Sequence, residues 1–301
     1  MPEYLMSQVV VVYLGRQLEA QFTAHVLGRE VVVRRRGGAG DVRRAVALVR
    51  EAAATDVDVI ALEGMPLTLR LGDIYLDHPL AQTLRDAAGQ TPLVDGLDVR
   101  DALDRLAVER ITQSQPTLFR FRRVLMAPGL NRPALAVALA QHSPHLRYAD
   151  PALLFELPFS LPAGPWLDRF ARLMAGRLAG LSFEQISPPE GEGTPRVKAD
   201  FAWADLIAGD INLMRRHAPY ALRDKVVVTD WLSDADLTEL RSRGVAQVVV
   251  TVPCLEGATV RPSAAIVAGV LAALRPTDAP ALVDDPSRLA ELPWFPDLIT
   301  L

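Results

Sequence analysis

Val124-Leu125-Met126-Ala127-Pro128-Gly129-Leu130-Asn131-Arg132-Pro133-Ala134-Leu135-Ala136-Val137-Ala138-Leu139-Ala140 passes from a short apolar run through a Pro/Gly turn into an alanine-rich run, and Leu146-Arg147-Tyr148-Ala149-Asp150 follows. Residues 124–127 read as a buried strand, 134–140 as a helix and 146–149 as a second strand. This is the layout of a β-α-β unit in which phosphates rest on a helix N-terminus and a carboxylate about 20 residues further on holds a ribose. Gly129, Asn131, Arg132 and Asp150 are therefore candidate cofactor-binding residues, joined by Thr251 at a later strand end. The glycine pattern is thin, because Gly129 is the only glycine in the turn and Pro128 and Pro133 each lack an amide hydrogen. Two plainer readings stand beside it: a strand-helix turn in which Pro133 starts the helix, and Asp150 as a turn residue before Pro151. A turn filled by its own side chains would exclude a dinucleotide.

Outward from this unit the chain alternates β-branched runs with helical patterns. Val9–Val12, Glu30–Val33, Val57–Leu62 and Pro92–Val94 read as strands, and 41–54, 79–88 and 99–111 as helices. Beyond 150 a proline-rich passage leads to a helix begun by Pro165, whose Trp166, Phe170, Leu173, Met174 and Leu178 recur at three- and four-residue spacing with arginines between them. That stripe reads as core packing or a dimer face. Strands follow at 225–229 and 247–252, with helices at 233–243 and 263–274. The alternation predicts an α/β protein of two Rossmann-like three-layer α/β/α domains with mostly parallel sheets. The expected divisions are an N-terminal domain over 1–118, a nucleotide-binding domain over 119–275 and a tail over 276–301. The 187–195 loop, rich in Pro, Gly and Glu, reads as mobile, or as a lid.

Composition narrows the function classes. The chain has 301 residues, half of them hydrophobic, and a net charge of −4, which argues against a nucleic-acid binder. Cys254 is the only cysteine, so no intramolecular disulfide forms and no Cys/His cluster suggests a metal site. The start lacks the basic and apolar segments of a secretory signal, and no stretch is long enough to span a bilayer, so cytoplasmic residence is expected. The expected partner is a small-molecule ligand, with no membrane and a homodimer as the assembly.

Ligands of open α/β sheets bind beyond the carboxyl ends of the strands. Glu63, Asp95 and Asp210 stand there as acid/base candidates, each also readable as a turn former. Arg36, in the run Arg34-Arg35-Arg36-Gly37-Gly38, and Arg100 are the candidate substrate-binding cations; a solvated basic turn is the other meaning of that run. Arg215-Arg216-His217 reads as the charged end of a helix, and Cys254 as a partly buried, inert thiol.

Ala204-Asp205-Leu206-Ile207-Ala208-Gly209-Asp210, Lys225–Thr229 and Val249-Val250-Thr251-Val252-Pro253 resemble a bacterial family labelled quinate 5-dehydrogenase or predicted dehydrogenase, related to the shikimate and quinate dehydrogenases. The resemblance implies an NAD- or NADP-dependent oxidoreductase acting on a small polyol or hydroxy-carboxylate. It also implies a substrate-binding N-terminal domain. Those enzymes use a lysine and an aspartate in that domain, whereas the first 197 residues here contain no lysine. The alternatives are a catalytically silent ligand-binding or regulatory relative, and a non-redox α/β enzyme that uses its strand-end carboxylates.

Overall fold

The computed structural model describes residues 6–15, 19–71, 74–186, 193–274, 289–290 and 292–301. In chain order its elements begin β1 (Ser7–Tyr13), β2 (Ala20–Val26), β3 (Arg29–Gly37), α1 (Val42–Ala53), β4 (Val59–Glu63), β5 (Thr68–Leu71), β6 (Ile74–Asp77), α2 (Ala81–Ala88), β7 (Leu93–Val94) and α3 (Leu97–Ser114). They continue with β8 (Val124–Ala127), α4 (Pro133–Ala140), β9 (Leu146–Tyr148), α5 (Asp150–Phe155), β10 (Leu161–Pro162), α6 (Trp166–Leu178), α7 (Phe183–Ile186) and α8 (Lys198–Trp203). The last are β11 (Leu206–Gly209), α9 (Ile211–His217), β12 (Val226–Thr229), α10 (Asp234–Ser242), β13 (Gln247–Val250), α11 (Ala264–Ala273) and β14 (Asp297–Thr300).

The chain forms two compact α/β units, each interrupted in sequence. The first holds 1–67, 78–100 and 254–294; the second holds 68–77, 101–253 and 295–301. These limits do not coincide with 118/119 and 275/276. The division at 100/101 falls inside helix α3, and α11 belongs to the first unit, where it packs on β1 and β4. Gly269 permits that packing, since a Cβ there would come within 2.8 Å of a Val9 methyl.

The first unit has a five-stranded sheet ordered β2-β3-β1-β4-β7. It is parallel except for β2, which pairs antiparallel with β3. Strand β2 goes unread in the sequence. Its Phe22, Ala24 and Val26 point inward at period two, but Gln21 before them and Thr23 and His25 between them dilute the run. Strand β3 extends to Gly37, so Arg34, Arg35 and Arg36 alternate along a strand rather than forming a basic loop.

The second unit has a seven-stranded sheet ordered β10-β9-β8-β11-β12-β13-β14. Strands β9, β8, β11, β12 and β13 are parallel, and the two edge strands are antiparallel. Both faces are covered, as near-continuous apolar strands of a parallel sheet require. Leu125, Ile207, Val227 and Val248 pack on one side with Phe201, Met214 and Leu240, while Val124, Leu206, Val226 and Val249 pack on the other with Ile111 and Leu135. Residues 297–300 of the expected tail are β14, docked on β13. The hairpin β5-β6 lies with α6 in a smaller apolar cluster of the same unit. Of the 187–195 loop, residues 187–192 lie outside the described residues.

Candidate functional site

The turn after β8 is built around Asp150. The amide of Gly129 donates to both carboxylate oxygens, at 3.0 and 2.9 Å, and that of Leu130 donates to Oδ1 at 2.6 Å. Asp150 is fully buried. Burial pushes its carboxyl up to about 6 against the opposing pull of the two amides. The Tyr148 ring fills the place beside Gly129, so that a Cβ would meet it at 2.4 Å. The chain thus supplies its own anion and its own filling group where a dinucleotide would need open backbone amides and a carboxylate turned to a ribose. NAD or NADP does not fit Gly129 and Asp150 as they stand. Asn131 lies half-buried in the same turn.

Arg132, the cap residue before α4, is drawn elsewhere. Its guanidinium is almost completely buried and makes a two-pronged pair with Asp104 of α3, Nε to Oδ2 at 2.8 Å and Nη2 to Oδ1 at 2.7 Å. Nη1 reaches Asp230 Oδ1 at 2.8 Å, just past β12, and more weakly the Gly209 carbonyl at 3.4 Å. Thr251, just past β13, donates its hydroxyl to Asp104 Oδ1 at 2.7 Å. Four parallel strands therefore deliver their carboxyl ends to one polar cluster. Burial alone would lower the guanidinium's affinity for its proton; Asp104, Asp230 and Asp210 outweigh it and raise that affinity.

Asp210 completes the cluster. It caps α9, its Oδ1 accepting from the amides of Asn212 and Leu213 at 2.8 and 3.0 Å. Burial pushes its carboxyl up to about 6; the Leu213 amide opposes this and the charge of Asp230 adds to it. Gly209 allows the strand end to close, because its φ of +146° and a Cβ position 2.2 Å from the Ala127 carbonyl oxygen admit no other residue. Three carboxylates thus surround one guanidinium. Of Arg132, Asp104 and Asp230, Asp230 is the most open, its side chain 23% exposed against 1% for Arg132.

The remaining candidates lie in the first unit. Glu63 ends β4, buried and paired twice with Arg35 of β3 at 2.7 and 2.9 Å, and Arg35 lies 4.2 Å from the centre of the Tyr13 ring. Asp95 accepts from the amides of Leu67 and Leu97 at 2.8 and 3.1 Å, and burial raises its pKa. Arg100 lies in α3 and acts electrostatically on Asp95. Arg36 forms an exposed pair with Glu51 at 2.9 Å. Among the three acid/base candidates, Glu63 and Asp95 belong to one unit and Asp210 to the other. His217 is buried, its Nδ1 3.1 Å from the Thr194 carbonyl. Cys254 is exposed rather than partly buried, with an Arg261 nitrogen 3.7 Å from its sulfur.

Asp104 is the member that sequence reasoning misses. It sits on the side of α3 that also carries Val108 and Ile111, and a carboxylate on an apolar stripe demands a buried partner.

The chain belongs to the family described as Domain of unknown function (DUF8754), whose model matches residues 98–299. Residues 8–95 match a second model, Domain of unknown function (DUF8753). No curated protein matches. Among solved structures, a Mycobacterium smegmatis protein in complex with β-D-fucofuranose matches at 9% identity over 98% of this chain and 91% of that one, with a TM-score of 0.33. The periplasmic binding protein of the arabinose ABC transporter from Shewanella sp. ANA-3 matches at 11% identity over 81% and 80%, with a TM-score of 0.34. A sugar-binding protein of a Bacillus halodurans ABC transporter matches at 9% identity over 81% of each chain, with a TM-score of 0.37.

The dehydrogenase resemblance is corrected: the family models that match this chain are domains of unknown function, not dehydrogenases. The oxidoreductase reading and the NAD or NADP cofactor assigned to Gly129, Asn131, Arg132, Asp150 and Thr251 fall with it. The self-filled turn at Gly129 gives the physical reason. None of the findings supports the expected homodimer. Among the described residues no helix is long and apolar enough to cross a membrane, and no group of acidic, histidine and cysteine side chains is suited to hold a metal ion.

Proposed function

We propose that the protein is a ligand-binding protein that takes a small organic molecule at the carboxyl edge of the second unit's sheet, with Asp230 and Asp210 as the receiving groups. The observation that carries this reading is the imbalance of the cluster, three carboxylates on one buried guanidinium already engaged by two of them. Carboxylates outnumber the guanidinium, and this excess of negative charge favours molecules that donate hydrogens, such as polyols or amines. Phosphates and carboxylates are disfavoured, because they would meet excess negative charge.

The test is thermal unfolding at pH 7.5 against neutral pentoses and hexoses, polyamines and sugar phosphates. A ligand at 100 times its Kd stabilises by about 2.7 kcal/mol. Stabilisation by a hydroxyl or amine donor that disappears in Asp230→Asn supports the reading. Stabilisation by phosphates alone, or an effect unchanged in Asp230→Asn, rejects it.

A further inference from the structure

Helix α6 presents a second surface, on its outward side. Leu167, Phe170, Ala171 and Leu178 are buried against the hairpin cluster. Trp166 and Leu173, part of the stripe read as core packing or a dimer face, point outward instead, 48% and 82% exposed. Between them Arg169 lies over the Trp166 ring, 5.2 Å from its centre, and Arg172 and Arg177 are exposed alongside. Trp166, Arg169, Leu173, Gly176 and Gly180 follow one another at intervals of three, four, three and four residues, the spacing of a helix face that receives another helix. Gly176 is an independent sign. It lies inside the helix, where glycine costs about 0.5–1 kcal/mol relative to alanine. A Cβ there would meet nothing within 4 Å, so no packing within the described chain calls for a glycine at that place. A close-approaching backbone from outside would.

We propose that this face docks an acidic amphipathic helix of a partner protein. Its apolar centre, Trp166 and Leu173, would seat the partner's apolar stripe, and Gly176 would let the backbones close. The three arginines, against Asp168 as the one acid of α6, would pair with glutamates on the partner's flanks. Tryptophan and arginine are also the side chains that most often dominate such interfaces. A second copy of α6 fits poorly, because it would bring arginines against arginines. An anionic membrane fits poorly too, because two large apolar side chains offer little area to bury among headgroups.

The experiment titrates the full chain with a short stapled helical peptide carrying leucines on one face flanked by glutamates, and with its lysine-flanked counterpart, by isothermal calorimetry. The glutamate peptide is expected to bind at least about tenfold more tightly, equivalent to about 1.4 kcal/mol. Leu173→Asp, at an exposed site that leaves the fold intact by circular dichroism, is expected to abolish binding. Arg169→Glu/Arg172→Glu/Arg177→Glu is expected to invert the preference between the peptides. Equal binding of the two peptides, or binding of neither, overturns the proposal. Association with phosphatidylglycerol vesicles in place of the peptide, or a concentration-dependent dimer lost in Leu173→Asp, assigns the face to a membrane or to a second copy and overturns it equally.

Discussion

Each unit places a buried arginine against carboxylates at its strand ends, and the two arrangements differ in stoichiometry. In the first unit Arg35 and Glu63 meet one to one, both prongs satisfied and Tyr13 closing over the guanidinium. In the second, Arg132 is shared by Asp104 and Asp230, with Asp210 close enough to feel both Arg132 and Asp230. A matched buried pair ties two strands together and has nothing left to offer. An unmatched one carries an excess of negative charge, and the proposed ligand site is placed there for that reason.

The contrast breaks most severely at Arg132. Replacing it by methionine leaves Asp104 buried without its cation, and loss of one partner of such a pair costs about 3–5 kcal/mol. Urea unfolding should show that loss, and Arg132→Met/Asp104→Leu should recover part of it. Unchanged stability of the single variant would show that the cluster does not hold the sheet edge. Glu63→Leu should cost less, about 1–3 kcal/mol, since the stranded Arg35 keeps its place over Tyr13 and is long enough to turn toward water.

Titration sharpens the comparison. The folded-state pKa of Asp210, raised to about 6, exceeds that of the unfolded chain, so the protonated form is favoured on folding. Stability from this source is fully present below the ordinary carboxyl pKa near 4 and is lost as pH rises through about 6. Asp210→Asn should therefore flatten the fall in stability of the natural protein between pH 4 and pH 6.5, measured by urea unfolding at fixed ionic strength. An unaltered pH profile would assign the fall to Asp150, whose carboxyl is raised in the same direction. The smallest effect belongs to Arg36→Ala, where losing an exposed pair with Glu51 should change stability by no more than about 0.5 kcal/mol.

The sequence carries the sheets well and the pairings poorly. Periodicity locates β8, α4 and β9 almost to the residue, because a buried parallel strand is a continuous apolar run and Pro133 marks the first turn of its helix. The same reasoning singles out Arg132, Thr251 and Asp210, which do meet in one cluster, although it gathers the first two around a cofactor. Their common partner Asp104 lies 28 residues from Arg132 and 147 from Thr251, and no local pattern spans such distances. The Gly129-to-Asp150 spacing is real, yet it reports a carboxylate serving the turn itself. Spacing alone cannot tell whether such a group faces a ligand or its own backbone. Arg35 is misplaced for a simpler reason: three consecutive arginines look like a loop, whereas strand alternation buries the middle one and leaves Arg34 and Arg36 at the surface.

The interleaving of the two units governs how the protein is made. The first unit opens the chain but waits for α11, which begins 201 positions after Glu63 ends β4, and the second waits for β14 to cover the open edge of β13. On the ribosome the first sheet has all its strands by Val94 but lacks its covering helix, and the second lacks its last strand, until almost the whole chain has emerged. A nascent chain halted near residue 250 would present both an uncovered face and an unpaired edge, the state most in need of a chaperone.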